Sequence, residues 1–390
     1  MNDRLSSFLA SESLKKLAKH LKRDDIIMRA SDHRAARIAR IPTTIFPLDR
    51  ALGGGFPVGV VNLMFGFKAS SKTTTLLKTI ANAQKMCANC WKGIHPITGE
   101  LLCTCPEYRE PIVAMVNVEG TWDASWASSL GVDTTKILYS EPEYGEQAVD
   151  IFEAILLSGE CDIIYLDSLA FLVPIKETEE SAERDFMGQQ PRLIGKLIRK
   201  TTAALNTLGN DRGRRPTVFF TNQIRNKMTM FGNPEVQPGG LAIGFSTSTE
   251  VRVKSNNPEL DEATKLPKYC EIEFKIEKNK YGGTRGMEGS YRLVLMDTET
   301  KKKGSVIDEP AVVEVAEQQG VLFKSKNKWI CLGEEFSARS HVERRLMIDP
   351  EFSYIVKQHL LNLDFKASSP DSVESAETAP VEGTRSKKKS

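Results

Sequence analysis

The run Val60-Val61-Asn62-Leu63-Met64-Phe65-Gly66-Phe67-Lys68-Ala69-Ser70-Ser71-Lys72-Thr73-Thr74-Thr75 constrains this chain more than any other. The apolar residues up to Phe65 read as a buried parallel strand, Gly66 to Ser71 as a polar turn, and Lys72-Thr73 as the start of a helix. Such a turn aims backbone N–H groups at one point, and the helix N-terminus favours an anion there. That geometry cradles a nucleoside triphosphate. On this reading Gly66, Ser70, Ser71, Lys72, Thr73 and Thr74 form the phosphate site, with Lys72 toward the β/γ-phosphates and Thr73 on Mg2+. The motif calls for glycine just before the lysine, and this chain has Ser71, whose Cβ occupies a place of close approach. A Ser/Thr-rich helix start without a ligand is the alternative.

Two further apolar runs end in acids. Residues 112–119 close on Glu119, and residues 161–168 close on Asp167-Ser168. In a doubly wound α/β sheet the functional groups gather at the carboxyl ends of the strands, which brings both acids to the phosphate loop. Asp167 is then expected to hold Mg2+ through water, and Glu119 to act as the base that activates water. A helix cap or a surface acid is the bland alternative for Glu119. A fourth strand, residues 217–223, ends in the amide of Gln223.

The net charge of +2 averages over unlike segments. Residues 192–231 carry nine Lys/Arg, among them Arg192, Arg199 and Arg225, against the single acid Asp211. That excess suits polyphosphate or nucleic acid. Residues 173–191 read as a mobile loop, and residues 225–244, rich in glycine and polar residues, as a second loop leaving the same sheet edge. Cations, glycines and Met187 or Met228 in these loops suit a phosphodiester backbone. Residues 249–300 alternate apolar and polar as antiparallel strands, with Lys278-Asn279-Lys280 at their turn.

Ahead of this core (41–300), residues 1–40 form a basic helical arm, ten Lys/Arg against five Asp/Glu, that suits packing on a neighbouring subunit or a local cap. Behind it, residues 301–365 form a small α+β domain with helices near 308–319 and 350–362, and residues 366–390 a disordered tail. No apolar run reaches the roughly 18 residues of a membrane span, and the first residues lack the apolar stretch of a signal peptide, so a cytoplasmic protein without membrane contact is expected. Of seven cysteines, Cys87, Cys90, Cys103 and Cys105 crowd one insert at 87–109. Two pairs on turns can give four thiolates to one Zn2+, with His95 as a further ligand; chance-clustered free thiols are the alternative.

Taken together, these residues resemble the RecA family of recombinases over most of 26–360. The most specific stretch is Asn222-Gln223-Ile224-Arg225, then Met230-Phe231-Gly232-Asn233-Pro234-Glu235 and Gly239-Gly240, the pattern of that family's second DNA loop. The resemblance implies a RecA-like ATPase core with a mostly parallel sheet, binding ATP and Mg2+. It also implies a DNA-dependent ATPase that forms a helical homo-oligomeric filament on single-stranded DNA, pairs it with homologous double-stranded DNA and exchanges strands. By position, it makes Asp123 and Trp126 adenine contacts, Glu119 the catalytic base and Gln223 the γ-phosphate sensor. Met187, Gly188, Arg192, Arg199, Gly239 and Gly240 fall on its DNA contacts, and Lys278 and Lys280 on lysines reaching a neighbour's ATP. Ser71, the cysteine insert and the trimmed C-terminal region depart from the family pattern and resemble bacteriophage-encoded members. Two other readings are an ATP-binding DNA scaffold with weak or no hydrolysis, and a helicase of the same ATPase fold.

Overall fold

A computed structural model describes residues 8–21, 38–179, 188–211, 214–226 and 235–367. Residues up to Ala39 form one unit and those from Arg40 a second. The first contributes helix α1 (Glu12–Leu21), with Glu12 in its first turn and Lys19 and His20 in its last, charges that complement the helix dipole.

The second unit opens with β1 (Arg40–Ile41), α2 (Phe46–Leu52) and β2 (Phe56–Pro57), then runs into β3 (Val61–Gly66) and α3 (Lys72–Ala83). Beyond the cysteine insert come β4 (Val113–Asn117), α4 (Ala124–Ser129), β5 (Ile137–Ser140), α5 (Gly145–Ser158), β6 (Ile163–Asp167), α6 (Ile175–Glu179), α7 (Gln189–Asp211) and β7 (Thr217–Gln223). A short ribbon, β8 (Arg225–Asn226) with β9 (Glu235–Val236), and helix α8 (Leu241–Ser246) lead to β10 (Thr249–Ser255), β11 (Glu259–Leu260), β12 (Pro267–Asn279) and β13 (Glu288–Val294). The chain continues through β14 (Val306–Ile307), α9 (Glu309–Gln318), β15 (Leu322–Ser325), β16 (Lys328–Cys331), β17 (Glu334–Phe336), α10 (Arg339–Ile348) and α11 (Pro350–Ala367).

One sheet has the order β14-β13-β12-β10-β3-β7-β6-β4-β5. From β10 to β5 neighbours are parallel; β12, β13 and β14 extend it antiparallel. The strands are apolar on both sides because both faces are covered. Val61, Leu63 and Phe65 turn to the face packed by α5 and α7, while Met64 turns to the face packed by α3. Helix α7 shows the pattern in its sequence: Leu193, Ile194, Leu197, Ile198, Leu205 and Leu208 are buried, and Arg192, Lys196 and Arg199 are exposed. A third cluster fills the C-terminal region, where Val312, Val313, Leu322, Val342, Leu346, Phe352, Val356 and Leu360 pack together and Phe46 of α2 joins them.

The α/β class and the largely parallel sheet are as the sequence implies, and several boundaries differ. The strand expected over 112–119 stops at Asn117, leaving Glu119 two residues beyond it. Residues 173–191 are not a loop throughout, since α6 begins at Ile175 and α7 at Gln189; residues 180–187, including Met187, lie outside the described residues. Strand β10, expected only in an antiparallel set, also pairs parallel with β3. The C-terminal region carries α10 and a three-stranded sheet besides the two expected helices. Residues 26–28, 227–234 and the tail from 368 also lie outside the described residues.

Candidate nucleotide and nucleic-acid site

The carboxyl ends of four neighbouring strands converge. In register, Gly66 of β3 stands beside Gln223 of β7, and Asn117 of β4 beside Asp167 of β6. Residues two apart on a strand share a face, so Phe219, Thr221 and Gln223 line up with Tyr165 and Asp167 on the side of α3. Thr73 Oγ1, in the first turn of α3, donates to Asp167 Oδ2 at 2.7 Å, and Thr221 Oγ1 donates to Asp167 Oδ1 at 2.5 Å. Both carboxylate oxygens are thus oriented by hydroxyls, and Asp167 is 4 % exposed. Tyr165 is fully buried on the same face of β6, and burial, reinforced by Asp167, pushes its phenol pKa up.

The loop itself is tight. A Cβ at Gly66 would run into the Val253 carbonyl and stand 2.6 Å from Ser70 Oγ, so only glycine admits this approach. Ser71 adopts φ 63° and ψ 24°, the left-handed conformation that glycine normally fills, at a cost of roughly 1–2 kcal/mol for an L-residue. The serine therefore retains the backbone path that glycine would give. Lys72 lies inside the turn: its Nζ donates to Phe67 O at 2.7 Å, Ser70 Oγ at 3.3 Å and Gly66 O at 3.4 Å. Burial lowers its pKa, and the charges of Asp167 and Glu119 oppose the shift.

Glu119 meets Gln223, whose Nε2 donates to Glu119 Oε1 at 3.5 Å. The backbone N–H groups of Val118 and Glu119 donate to Asp167 O at 2.6 and 3.1 Å, which sets the carboxylate beside β6. Burial and repulsion from Asp167 raise the Glu119 pKa, against the pull of Lys72 and Lys68. A carboxylate so raised takes a proton more readily than an ordinary surface acid. Helix α4 is capped by Asp123 Oδ1, which accepts from Trp126 N at 2.9 Å. The indole Nε1 of Trp126 donates to Thr74 Oγ1 at 3.2 Å, tying the ring to the phosphate helix, and Lys303 Nζ stands 5.3 Å from the ring centroid.

Among the residues expected to meet DNA, Arg192 and Arg199 are exposed on α7, and Gly188 precedes it with φ 89°. Gly239 is buried with φ 96°, where a Cβ would stand 2.6 Å from Ile243 and 2.7 Å from Ile194; this glycine lets α8 close on α7. Gly240, next in sequence, and Arg225 of β8 are exposed. Lys278 Nζ donates to Gly244 O and lies 3.4 Å from Thr247 Oγ1 and 3.7 Å from Glu250, whereas Lys280 is exposed. Within one chain, Lys278 is thus engaged at the end of α8.

The insert brings Cys87, Cys90, Cys103 and Cys105 together, with all four Sγ atoms within 4.8 Å of one another. A tetrahedral zinc with bonds of ~2.3 Å needs sulfurs ~3.8 Å apart, so the donor set fits with small adjustments. Hydrogen bonding with the Cys103 and Cys90 sulfurs, helped by burial, pushes the Cys105 thiol up to about 12. His95 does not join them. Its Nδ1 accepts from Thr98 N at 3.2 Å, closing a turn, and its ring packs edge-on against Tyr354 at 4.8 Å.

The sequence reading missed Thr221, Tyr165 and Lys303. A period-two count from Gln223 and Asp167 would have found the first two, while Lys303 reaches Trp126 only through the tertiary fold.

Comparison with known proteins finds one family over most of the chain. The family described as "RecA N-terminal domain" matches residues 9–92 and 92–284. The chain is 31% identical over 338 residues to "Protein RecA" of Oceanobacillus iheyensis, covering 85% of this chain and 87% of that one. It is 29% identical over 364 residues to "Protein RecA" of Listeria welshimeri, covering 92% and 93%. It is 32% identical over 325 residues to "Protein RecA" of Mycobacteroides abscessus, covering 83% of each.

Proposed function

The chain belongs to the RecA family, and from that premise we propose that it is a recombinase: a DNA-dependent ATPase that assembles on single-stranded DNA and exchanges strands with a homologous duplex. The observation that carries this reading is the meeting of Glu119 and Gln223 at 3.5 Å. Glu119 faces the nucleotide site, and Gln223 ends the strand that runs through Ile224 into the β8–β9 ribbon, the root of the expected DNA loop. A side chain at that junction can respond to the γ-phosphate and move the loop, so nucleotide and DNA each favour the same state of the chain.

Lys72 would hold the β- and γ-phosphates, Thr73 and Asp167 would hold Mg2+, and Trp126 would stack on the base. Mg2+ supplies neutralisation of phosphate charge. Glu119 orients a water and takes its proton, a role its raised pKa suits. Arg192, Arg199, Arg225, Gly188, Gly239 and Gly240 contact the phosphodiester backbone, and base pairing reads sequence. Lys278 and Lys280 act across a subunit contact. The four cysteines hold Zn2+ as a structural ion.

The test is ATP turnover measured with and without single-stranded DNA, followed by strand exchange between homologous substrates. Stimulated turnover with exchange supports the recombinase. Nucleotide-dependent DNA binding without turnover gives the scaffold reading instead, and unwinding without pairing gives the helicase.

A further inference from the structure

The insert at 87–109 has two anchors. At its base, Arg109 grips Asp162 with both guanidinium nitrogens, at 2.7 and 2.6 Å, just ahead of β6. Asp162 is 3 % exposed and also accepts from Ile112 N at 2.9 Å and pairs with Arg214 at 3.3 Å. Ala88 N donates to Arg109 O at 2.8 Å, so the two ends of the insert are tied to each other as well as to the sheet. At its tip, Ile94 pairs with Leu101, and His95 N donates to Glu100 O at 2.7 Å, forming a small hairpin. That hairpin touches the C-terminal region through the His95–Tyr354 ring contact. Tyr354 rides on α11, whose Phe352, Val356 and Leu360 are locked into the C-terminal core.

Between the anchors the insert is tied by a few backbone bonds, Cys87 N to Lys92 O and Leu102 N to Gly93 O at 2.9 Å among them, and beyond Cys87 and Ala88 it buries little apolar surface. Ile94, Leu101 and Leu102 are 46, 46 and 43 % exposed, and Trp91 is the large side chain that reaches the main core. A segment this short that buries so little apolar surface needs a staple. The four sulfurs sit between the anchored base and the exposed hairpin, where one tetrahedral ion fixes both.

We infer that the cysteine insert is a zinc-dependent strut: metal on Cys87, Cys90, Cys103 and Cys105 holds the hairpin tip against Tyr354 of α11 and so fixes the C-terminal region on the ATPase core. This rests on the zinc reading above. The C-terminal region already joins the core through Phe46 and through Asp308, which accepts from Phe46 N at 2.8 Å. It also joins through the pairing of β14 with β13, and the strut adds a further point of attachment, at α11. Metal occupancy thereby controls the C-terminal region without touching a phosphate or DNA residue.

The experiment is hydrogen exchange on the full chain, zinc-loaded, chelator-treated and as the Cys103→Ser/Cys105→Ser variant, with zinc counted on each sample. Loaded protein should carry about one zinc per chain. Loss of zinc should speed exchange about tenfold both in residues 94–101 and in α11 around Tyr354, the scale of an easier local opening. Tyr354→Ala should keep its zinc and the protection of the hairpin while α11 exchanges faster, which a merely unfolded insert would not produce. Faster exchange confined to the insert, with α11 unchanged, would overturn the strut while leaving the zinc site standing. Protein carrying no zinc, or iron in its place, would overturn the zinc reading itself. Neither result bears on DNA-stimulated ATP turnover, which tests the recombinase separately.

Discussion

Lys72 is the one lysine side chain held inside the phosphate loop, donating to three oxygens of the loop. If Lys72 holds the phosphates as proposed, replacing it with alanine removes their cation, and ATP turnover should fall by roughly 10²-fold or more, with ATP-dependent strand exchange abolished. Retained exchange by Lys72→Ala would sink the phosphate assignment. Glu119→Gln should keep nucleotide binding and slow hydrolysis by roughly 10²–10⁴-fold, because an amide cannot take the proton. The same residue sets a pH dependence. Its pKa is raised above the ordinary glutamate value, so a base at this position is lost as pH falls through that raised pKa. Wild-type turnover should therefore decline on the acid side at a higher pH than an ordinary carboxylate would give, and Glu119→Gln should lose that limb. A profile identical in the two proteins would assign the base elsewhere.

At the scale of elements, α7 does two jobs with one amphipathic pattern. Its buried face fixes the sheet, and its outer face presents Arg192, Lys196 and Arg199 beside the glycines that lead into α8. Arg199 folds back toward Gly195, whose added Cβ would lie 3.3 Å from its guanidinium. Arg199→Ala should weaken single-strand binding evenly across sequences and reduce the salt slope by up to about one unit. A salt titration with unchanged slope and affinity would remove Arg199 from the contact set. The same pattern shows why periodicity found α7 but missed α6 and α10. Helix α6 has five residues, and α10 buries only Val342 and Leu346 over ten, too little apolar repetition to announce a helix.

Across the molecule, the junction of core and C-terminal region rests on a buried charge. Asp308 is 3 % exposed and pairs with Lys357 of α11 at 2.6 Å while accepting from the backbone of α2. Lys357→Met leaves that carboxylate buried without its cation, which should cost up to about 3 kcal/mol in denaturant unfolding. The cost falls at the low end of the range because the Lys357 side chain is about one-quarter exposed. An unchanged unfolding midpoint and slope would show that the pair contributes nothing to the junction. No helix among the described residues is long and apolar enough to cross a membrane.

What the chain declares locally was legible in order: a strand, turn and helix around Lys72, acids placed just after apolar runs, a basic amphipathic helix and two cysteine pairs. Each is written in residues a few places apart, where backbone periodicity and turn chemistry act directly. Only the tertiary structure decided which of these features meet. Strand order set Gln223 against Glu119 across 104 residues of chain and Thr221 against Asp167 across 54, and packing of the insert on α11 set His95 against Tyr354. Such pairings follow from which strands share hydrogen bonds and which faces must bury apolar surface, and those choices are settled by the packing of the whole core.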